Sequence, residues 1–311
     1  MFATMVRNTI ALALSLFAAG FASAETIRVM SFNLWHGGDA GKQPLEQTVA
    51  VIKASKADVV GLQETAGLAA AGANRPDNAA KIAKLLGWNY FDQGGYTAII
   101  SKFKIVGNTE RKWGVTVELP SGKRIDVFNA HLAPAPYQPY QLLNIPYFGG
   151  KFLKTEAEAI AAARTARGGQ VERLLGDVRP ALLKDRPVFV TGDFNEPSHL
   201  DWTDAAATAK HCPIKVEWPT SKALADVKLV DAFRAVHSNP VERRGLTWTP
   251  TTKITDPKDR HDRIDFVYAG GKRYRIVSAH VVGESKEHAD IVVTPYPSDH
   301  RAVLMEFQIA D

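Results

Sequence analysis

Asp58-Val59-Val60-Gly61-Leu62-Gln63-Glu64 is a short apolar run that stops abruptly on an amide and a carboxylate. A run this brief, without helical spacing, reads as a compact buried strand. Its terminal carboxylate must then meet a cation, a donor or water, because an unpaired buried charge is costly. Five other polar clusters sit at the ends of apolar runs: Ser31-Phe32-Asn33-Leu34-Trp35, Asn129-Ala130-His131-Leu132, Thr191-Gly192-Asp193-Phe194-Asn195, Asp262-Arg263-Ile264-Asp265 and Ser298-Asp299-His300-Arg301. Asn, Glu, Asp and His recur at strand ends when those ends converge, and packed sheets bring distant strand ends to one rim.

Working outward, residues 26–33 alternate as a strand, and Leu45, Val49 and Ile52 have helical spacing. Residues 79–86 form a second expected helix, closed by Gly87. Residues 96–101, 115–119 and 124–130 read as strands, the last two joined by a Ser121-Gly122 turn. A Pro-, Tyr- and Gly-rich loop over 134–150 precedes a helical stretch, 155–175, interrupted at Gly168-Gly169. Val188-Phe189-Val190 is an apolar strand that delivers Asp193, and residues 264–268, 273–282 and 302–309 supply the closing strands. Strand–helix–strand units early and antiparallel hairpins midway predict an α/β (α+β) sandwich: two mixed sheets face to face, helices outside. One domain over residues 25–311 is expected.

Residues 1–24 have a different character. Arg7 is the only charged residue before Glu25, an apolar stretch covers 10–21, and Ala22-Ser23-Ala24 is a small-x-small cleavage site. This predicts a secretory signal peptide cleaved near Ala24, with export to the periplasm or beyond. No later segment is apolar enough to cross a bilayer. Cys212 is the only cysteine of 311 residues, which excludes an intrachain disulfide and a cysteine-based structural zinc site. The net charge of +5 suits anionic substrates without deciding for nucleic acid. His-Glu-x-x-His, Gly-x-Ser-x-Gly and Walker-type Gly-Lys-Ser/Thr strings do not occur, against a zinc peptidase, an α/β-hydrolase or a P-loop nucleotidase.

The clusters carry oxygen and imidazole chemistry. Glu64 with the Asn33 carbonyl offers ligands that Mg²⁺, Mn²⁺ or Ca²⁺ prefer. Asp193 and Asn195 flank Phe194, so on an extended chain they face the same way, one able to hold a water and the other an oxyanion. Asp299-His300 pairs an acceptor with an imidazole in a loop begun by Pro297, and His131 ends another strand. A histidine needs a carboxylate to set its tautomer or pKa, and Asp262 and Asp265 are both candidates. Three residues apart, they lie on opposite faces of an extended segment, so only one can serve. Glu196 precedes Pro197 and reads as a loop residue without a catalytic role; His36, His199, His211, His237, His261, His280 and His288 read as surface or loop histidines. Tyr137 and Tyr140, in the loop following His131, are placed to wall a substrate pocket.

These clusters, in this order, resemble the endonuclease/exonuclease/phosphatase family, the pancreatic deoxyribonuclease-like superfamily, in a secreted bacterial-type form. Ser31-Phe32-Asn33, Leu62-Gln63-Glu64, Gly192-Asp193-Phe194-Asn195 and Ser298-Asp299-His300 carry the likeness, supported by Ala98-Ile99-Ile100-Ser101 and Thr247-Trp248. The resemblance implies a four-layer sandwich and Mg²⁺- or Mn²⁺-dependent phosphoester hydrolysis. It implies Glu64 as principal metal ligand with Asn33 and Asp299 near it, and Asp193 as the group that orients or deprotonates water. Asn195 and His300 would bracket the phosphoryl oxygens, and His131 matches the strand-end histidine of the nuclease and sphingomyelinase branches. Both family positions for the partner of His300 are acidic here, Asp262 and Asp265, with Asp265 favoured by the well-formed strand after it. The expected function is an exported phosphodiesterase or phosphatase on small or lipid-derived phosphoesters. A secreted nuclease acting on DNA or RNA is the alternative within enzymes, and a vestigial binding or toxin-like protein is the alternative outside them. Oligomeric state is not expressed in the sequence.

Overall fold

The computed structural model describes residues 25–310. The expected signal segment, residues 1–24, lies outside the described residues. Strand β1 (Glu25–Asn33) is followed by helix α1 (Leu45–Ser55), β2 (Val59–Gln63), α2 (Asn78–Leu86), β3 (Asn89–Gly94) and β4 (Thr97–Ser101). Next come β5 (Lys104–Asn108), β6 (Gly114–Glu118), β7 (Arg124–His131), α3 (Gln138–Leu142), α4 (Glu156–Leu182) and β8 (Pro187–Asp193). The chain closes with α5 (Asp204–Thr208), α6 (Pro219–Asp226), β9 (Val230–Asp231), α7 (Ala232–Val236), β10 (Asp265–Gly271), β11 (Tyr274–Gly283), β12 (Ile291–Val292) and β13 (Ala302–Ile309).

Two mixed sheets result, a seven-stranded one ordered β12-β11-β13-β1-β2-β4-β3 and a six-stranded one ordered β5-β6-β7-β8-β10-β9. β1 shows why they stack. Ile27 and Val29 point into the inter-sheet core with Val127, Phe189 and Phe307. Met30 and Phe32, on the other face, pack under α1 and α2 with Val49, Ile52 and Ile82. A strand apolar on both faces needs cover on both. Against the outer face of the second sheet, α4 and α6 place Val171, Leu174, Val178 and Leu224 over Phe128, Val190 and Phe266. The order helix, sheet, sheet, helix is the expected four-layer sandwich.

Two local expectations are corrected. The 134–150 stretch is not all loop, since α3 forms within it. The helix expected to break at Gly168-Gly169 runs unbroken through both glycines and through Pro180.

Candidate active site

The sheet registers bring the polar clusters to one rim. β1 and β2 are parallel with Asn33 beside Gln63, and β7 and β8 are parallel with His131 beside Asp193. β10 runs antiparallel to β8, so its first residue, Asp265, also lies beside Asp193. β13 is antiparallel to β1, which sets its preceding residues, Asp299 and His300, at the same end. Glu64 follows β2 at φ 53° and Asn195 follows Asp193 at φ 48°, left-handed conformations that cost a side-chain-bearing residue energy and cluster at functional sites. The Asn195 turn is clamped from behind: the fully buried Arg167 of α4 donates through Nε to the Asn195 carbonyl at 3.0 Å and through Nη1 to Gln138 at 2.9 Å.

Asn33 Nδ2 bridges the two central carboxylates, donating to Asp193 Oδ2 at 2.9 Å and Glu64 Oε1 at 3.3 Å. Its Oδ1 accepts from the Trp35 amide at 3.0 Å. In this geometry Asn33 orients two carboxylates instead of offering the expected oxygen ligand, because that oxygen is turned to the backbone. His131 Nε2 lies 3.6 Å from Asp193 Oδ2 and 4.0 Å from Glu64 Oε1. His300 binds Asp265 Oδ2 through Nδ1 at 2.9 Å and turns Nε2 toward Asp193 at 3.8 Å and Asp299 at 4.0 Å. Asp193 Oδ1 accepts from the Asn195 amide at 2.9 Å, while Asn195 Nδ2 donates to the Leu132 carbonyl at 3.0 Å. The open partner choice for His300 is thereby Asp265. Asp262 accepts instead from the Tyr137 hydroxyl, the Trp202 indole and Arg260.

Burial alone would lower the His300 pKa, but the Asp265 and Asp193 carboxylates outweigh it and hold the imidazolium up to about 10. Burial pushes Asp193 above the usual carboxylate range, with Asp265 adding to the rise and His300 and His131 opposing it. Asp299 is pushed up to about 7, mainly by burial and further by the Glu64 charge. Glu64 is held below its usual value: His131, His300, the His36 amide and Asn33 together overcome its burial.

Asp193, Asp265 and His300 bring ligand-type atoms within 4.8 Å of one another. An imidazolium has no lone pair to give, so this trio is better suited to holding protons than a metal. The donor set that fits a hard divalent cation is Glu64 with Asp299. Asp299 Oδ1 is buried without a hydrogen-bond partner, and the two carboxylates repel each other, both of which a bound cation would relieve.

A cleft of about 360 Å³ opens over these groups. Tyr137 and Tyr140 are in its wall, though both are buried and each hydroxyl is bonded to an aspartate, Asp262 and Asp259 respectively. Trp35, His36, Tyr147, Phe148 and Trp248 also line it, none of them expected there from the sequence. The rings of Tyr137, Tyr140, Tyr147 and Phe148 meet edge to face in succession, at 4.9, 5.4 and 4.6 Å. The spacing of Tyr147-Phe148 in a Gly-rich loop held no signal, since only the fold of 134–150 turns them to the rim. His36, expected as a surface or loop residue, lies half-exposed in a turn, where its amide donates to Glu64 Oε2 at 3.2 Å and its ring lines the cleft. His261, expected as a surface or loop residue, lies in a loop but is buried, and Glu196 is the loop residue expected, buried beside Arg167.

Comparison with known proteins gives a consistent picture. The sequence model described as "Endonuclease/Exonuclease/phosphatase family" matches residues 30–300. A Caenorhabditis elegans protein named "Uncharacterized protein F14F9.5" is 28% identical over 312 residues, covering 94% of each chain. Among solved structures, an endonuclease/exonuclease/phosphatase from Beutenbergia cavernae is similar at TM-score 0.56 and 20% identity, over 92% of this chain and 72% of that one. D. rerio TDP2, complexed with a single-strand DNA product, is similar at TM-score 0.53 and 16% identity, over 91% of this chain and 99% of that one. At such identities the likeness to solved structures concerns the fold.

Proposed function

Since the chain belongs to the endonuclease/exonuclease/phosphatase family and is a metal-dependent phosphoester hydrolase, we propose that its substrates are small or lipid-derived phosphodiesters or phosphomonoesters rather than nucleic-acid polymers. The observation that carries this reading is the composition of the cleft wall. It holds Trp35, Tyr147, Phe148 and Trp248 but no lysine or arginine. A polyanion is gripped by several basic side chains along its backbone. The basic pairs Arg111-Lys112 and Arg243-Arg244 do not line the cleft, and Arg111 and Arg243 are each ion-paired, with Asp177 and Asp290. An aromatic wall suits an apolar or planar group attached to one phosphate.

The geometry supports a role for each group. Glu64 and Asp299 would hold a divalent cation, Mg²⁺ or Mn²⁺, which would supply Lewis-acid charge to the phosphoryl group. Asp193, with its raised proton affinity and its orientation fixed by Asn33 and the Asn195 amide, accepts the proton of the attacking water. The imidazolium of His300, kept charged by Asp265, donates from Nε2 where negative charge grows, and His131 donates beside it. Asn195 retains a second amide hydrogen for the same purpose. Tyr137 and Tyr140 shape the wall next to the reacting group. The single Arg7, the apolar stretch over 10–21 and the Ala22-Ser23-Ala24 site support export, with residues 25–311 forming the mature, single-domain enzyme in the periplasm or outside the cell.

The test is a substrate panel with purified protein in Mg²⁺ or Mn²⁺: bis(p-nitrophenyl) phosphate, a phosphomonoester, sphingomyelin, plasmid DNA and RNA. Small or lipid esters should be turned over faster than polymers, with activity abolished by EDTA and lowered roughly 10²–10³-fold or more in Glu64→Ala. Preferential cleavage of DNA or RNA, falling steeply with salt through counterion release, would instead establish the nuclease alternative.

A further inference from the structure

Trp35, His36, Gly37 and Gly38 all lie in the left-handed region, at φ of 53, 54, 68 and 89°. For Trp and His this conformation is unfavourable, and it persists only where surroundings impose it. The imposing contacts are specific. The Gly37 amide donates to the Glu64 carbonyl at 2.6 Å, and Asn78 Nδ2 donates to the Gly37 carbonyl at 3.0 Å. A Cβ at Gly37 would stand 2.8 Å from Asn78 Nδ2 and 2.9 Å from the Gly67 amide, so the turn also requires glycine there. The result is a ring at position 36, 45% exposed, in the cleft wall, with its Nδ1 3.7 Å from Glu64 Oε2 and so beyond hydrogen-bond reach of it.

That ring is braced from behind. Arg75 donates through Nε to the Gly67 carbonyl at 2.8 Å and through Nη2 to the Ala66 carbonyl at 2.8 Å, and its guanidinium sits 5.3 Å over the Tyr96 ring. So anchored, Nη2 lies 3.0 Å from His36 Nδ1. A guanidinium can only donate, so Nδ1 must accept, and the ring carries its proton on Nε2. Among the described residues no protein group hydrogen-bonds Nε2. The cleft already contains Glu64, Asp193 and Asp299 and no lysine or arginine. An ammonium beside Glu64 would compete with a divalent cation for that carboxylate. An N–H on a ring whose Nδ1 is held by a guanidinium one layer back attracts a phosphate without doing so.

We propose that His36 is a substrate-binding residue whose Nε2–H donates to a non-bridging phosphoryl oxygen in the cleft, and that Arg75 is the positioning residue that sets its tautomer and orientation. This rests on the phosphoester reading of the cleft, and two measurements keep the two separable. The first is ¹⁵N NMR of histidine-labelled protein, with the His36 signals assigned through His36→Gln. The wild type should show an unprotonated Nδ1 and a protonated Nε2, Arg75→Ala should show mixed tautomers, and inorganic phosphate should shift His36 Nε2. A protonated Nδ1 in the wild type, or no shift at saturating phosphate, overturns the proposal whatever the enzyme hydrolyses. The second is kinetics on bis(p-nitrophenyl) phosphate. His36→Ala and Arg75→Ala should each lower kcat/KM roughly 10-fold, the size of one charge-assisted hydrogen bond. The double variant should be no worse than either single one, and His36→Gln, which keeps an N–H donor, should recover part of the loss. Unchanged kcat/KM in His36→Ala refutes the inference and leaves the hydrolase intact. Absence of turnover on every phosphoester refutes the substrate reading, and the NMR result still decides the role of His36.

Discussion

Asp262 and Asp265 are three residues apart, and the side of the chain on which each falls decides the fate of His300. Successive residues of an extended segment alternate faces, so Asp265 turns into the rim beside Asp193 while Asp262 turns out to Tyr137, Trp202 and Arg260. Asp265→Asn should therefore lower kcat by roughly 10²–10⁴-fold, the range for general acid–base and charge-orienting groups, with little change in folding. Asp262→Asn should be read mainly in thermal stability, because it strips the counter-charge from the largely buried Arg260 and leaves His300 Nδ1 bonded. Measuring kcat and the unfolding midpoint for both variants checks the assignment. An equal loss of kcat in the two would sink it. His36, read from the sequence as a surface or loop residue, and Trp248, quoted only in support of the family likeness, show what chain order could not say at this scale. Their meaning comes from a ring 4.9 Å from His300 in one case and an amide on Glu64 in the other.

At the scale of elements, α4 shows tertiary contacts overriding local propensity. Each glycine inside a helix costs about 0.5–1 kcal/mol relative to alanine. The helix nonetheless passes through Gly168-Gly169 because its start is fixed by a Thr155/Glu158 capping box and its inner face buries Ala163, Arg167, Val171 and Leu174 on either side of the pair. A Cβ at Gly168 would meet nothing within 4 Å. Gly168→Ala should thus raise stability by about 0.5–1 kcal/mol in urea denaturation with activity unchanged; a loss would mean the glycine is needed. The tie between β11 and β13 yields a pH prediction. Burial raises the Glu284 pKa, yet hydrogen bonding and charge from the buried Arg301 outweigh this and hold it below its ordinary value. A depressed folded-state pKa contributes stability above the unfolded value near 4.5, lost as pH falls through the lower folded value. Glu284→Gln should lower the melting temperature at neutral pH and flatten its decline below about pH 4.5. A variant that keeps the wild-type acid decline would contradict the pairing. The polar edge strands β3 and β5 escaped notice because edges carry neither a long apolar run nor clean alternation, as Asn89-Tyr90-Phe91-Asp92-Gln93-Gly94 illustrates.

Across the whole molecule, the two halves of the site are locked by a polar patch inside the inter-sheet core. Gln63 Nε2 reaches from the first sheet to Asn129 Oδ1 in the second at 2.6 Å, Thr191 donates to the same oxygen at 3.1 Å, and Asn129 Nδ2 returns to the Leu62 carbonyl at 2.9 Å. These residues precede Glu64, His131 and Asp193 by one or two positions, so the patch sets the spacing of the proposed catalytic groups across the gap. Only glycine fits opposite it: a Cβ on Gly61 would fall 1.9 Å from Thr191 Oγ1 and 2.6 Å from Asn129 Oδ1. Gly61→Ala should destabilise the protein by about 1–3 kcal/mol through overpacking, and it should lower activity by moving Glu64 relative to Asp193. Denaturation midpoint and kcat measured together test this, and unchanged values for both would show that the sheets do not hold the site this way.

Sequence alone determined that strands of this chain carry oxygen and imidazole groups at their ends, because burial patterning and strand period are local and survive without any partner. The resemblance that those clusters carry then implied the four-layer sandwich and the phosphoester-hydrolase family, and it put Glu64, Asp193 and His300 among the candidate site residues. Only the tertiary structure decided which carboxylate serves His300, that Asn33 turns its amide to the carboxylates, and that His36 and the Tyr147-Phe148 pair belong to the cleft. Those are matters of direction and of a few ångströms between residues far apart in the chain. They are set by register, by left-handed turns and by buried hydrogen bonds across the sheets, none of which has a signature within a single stretch of sequence.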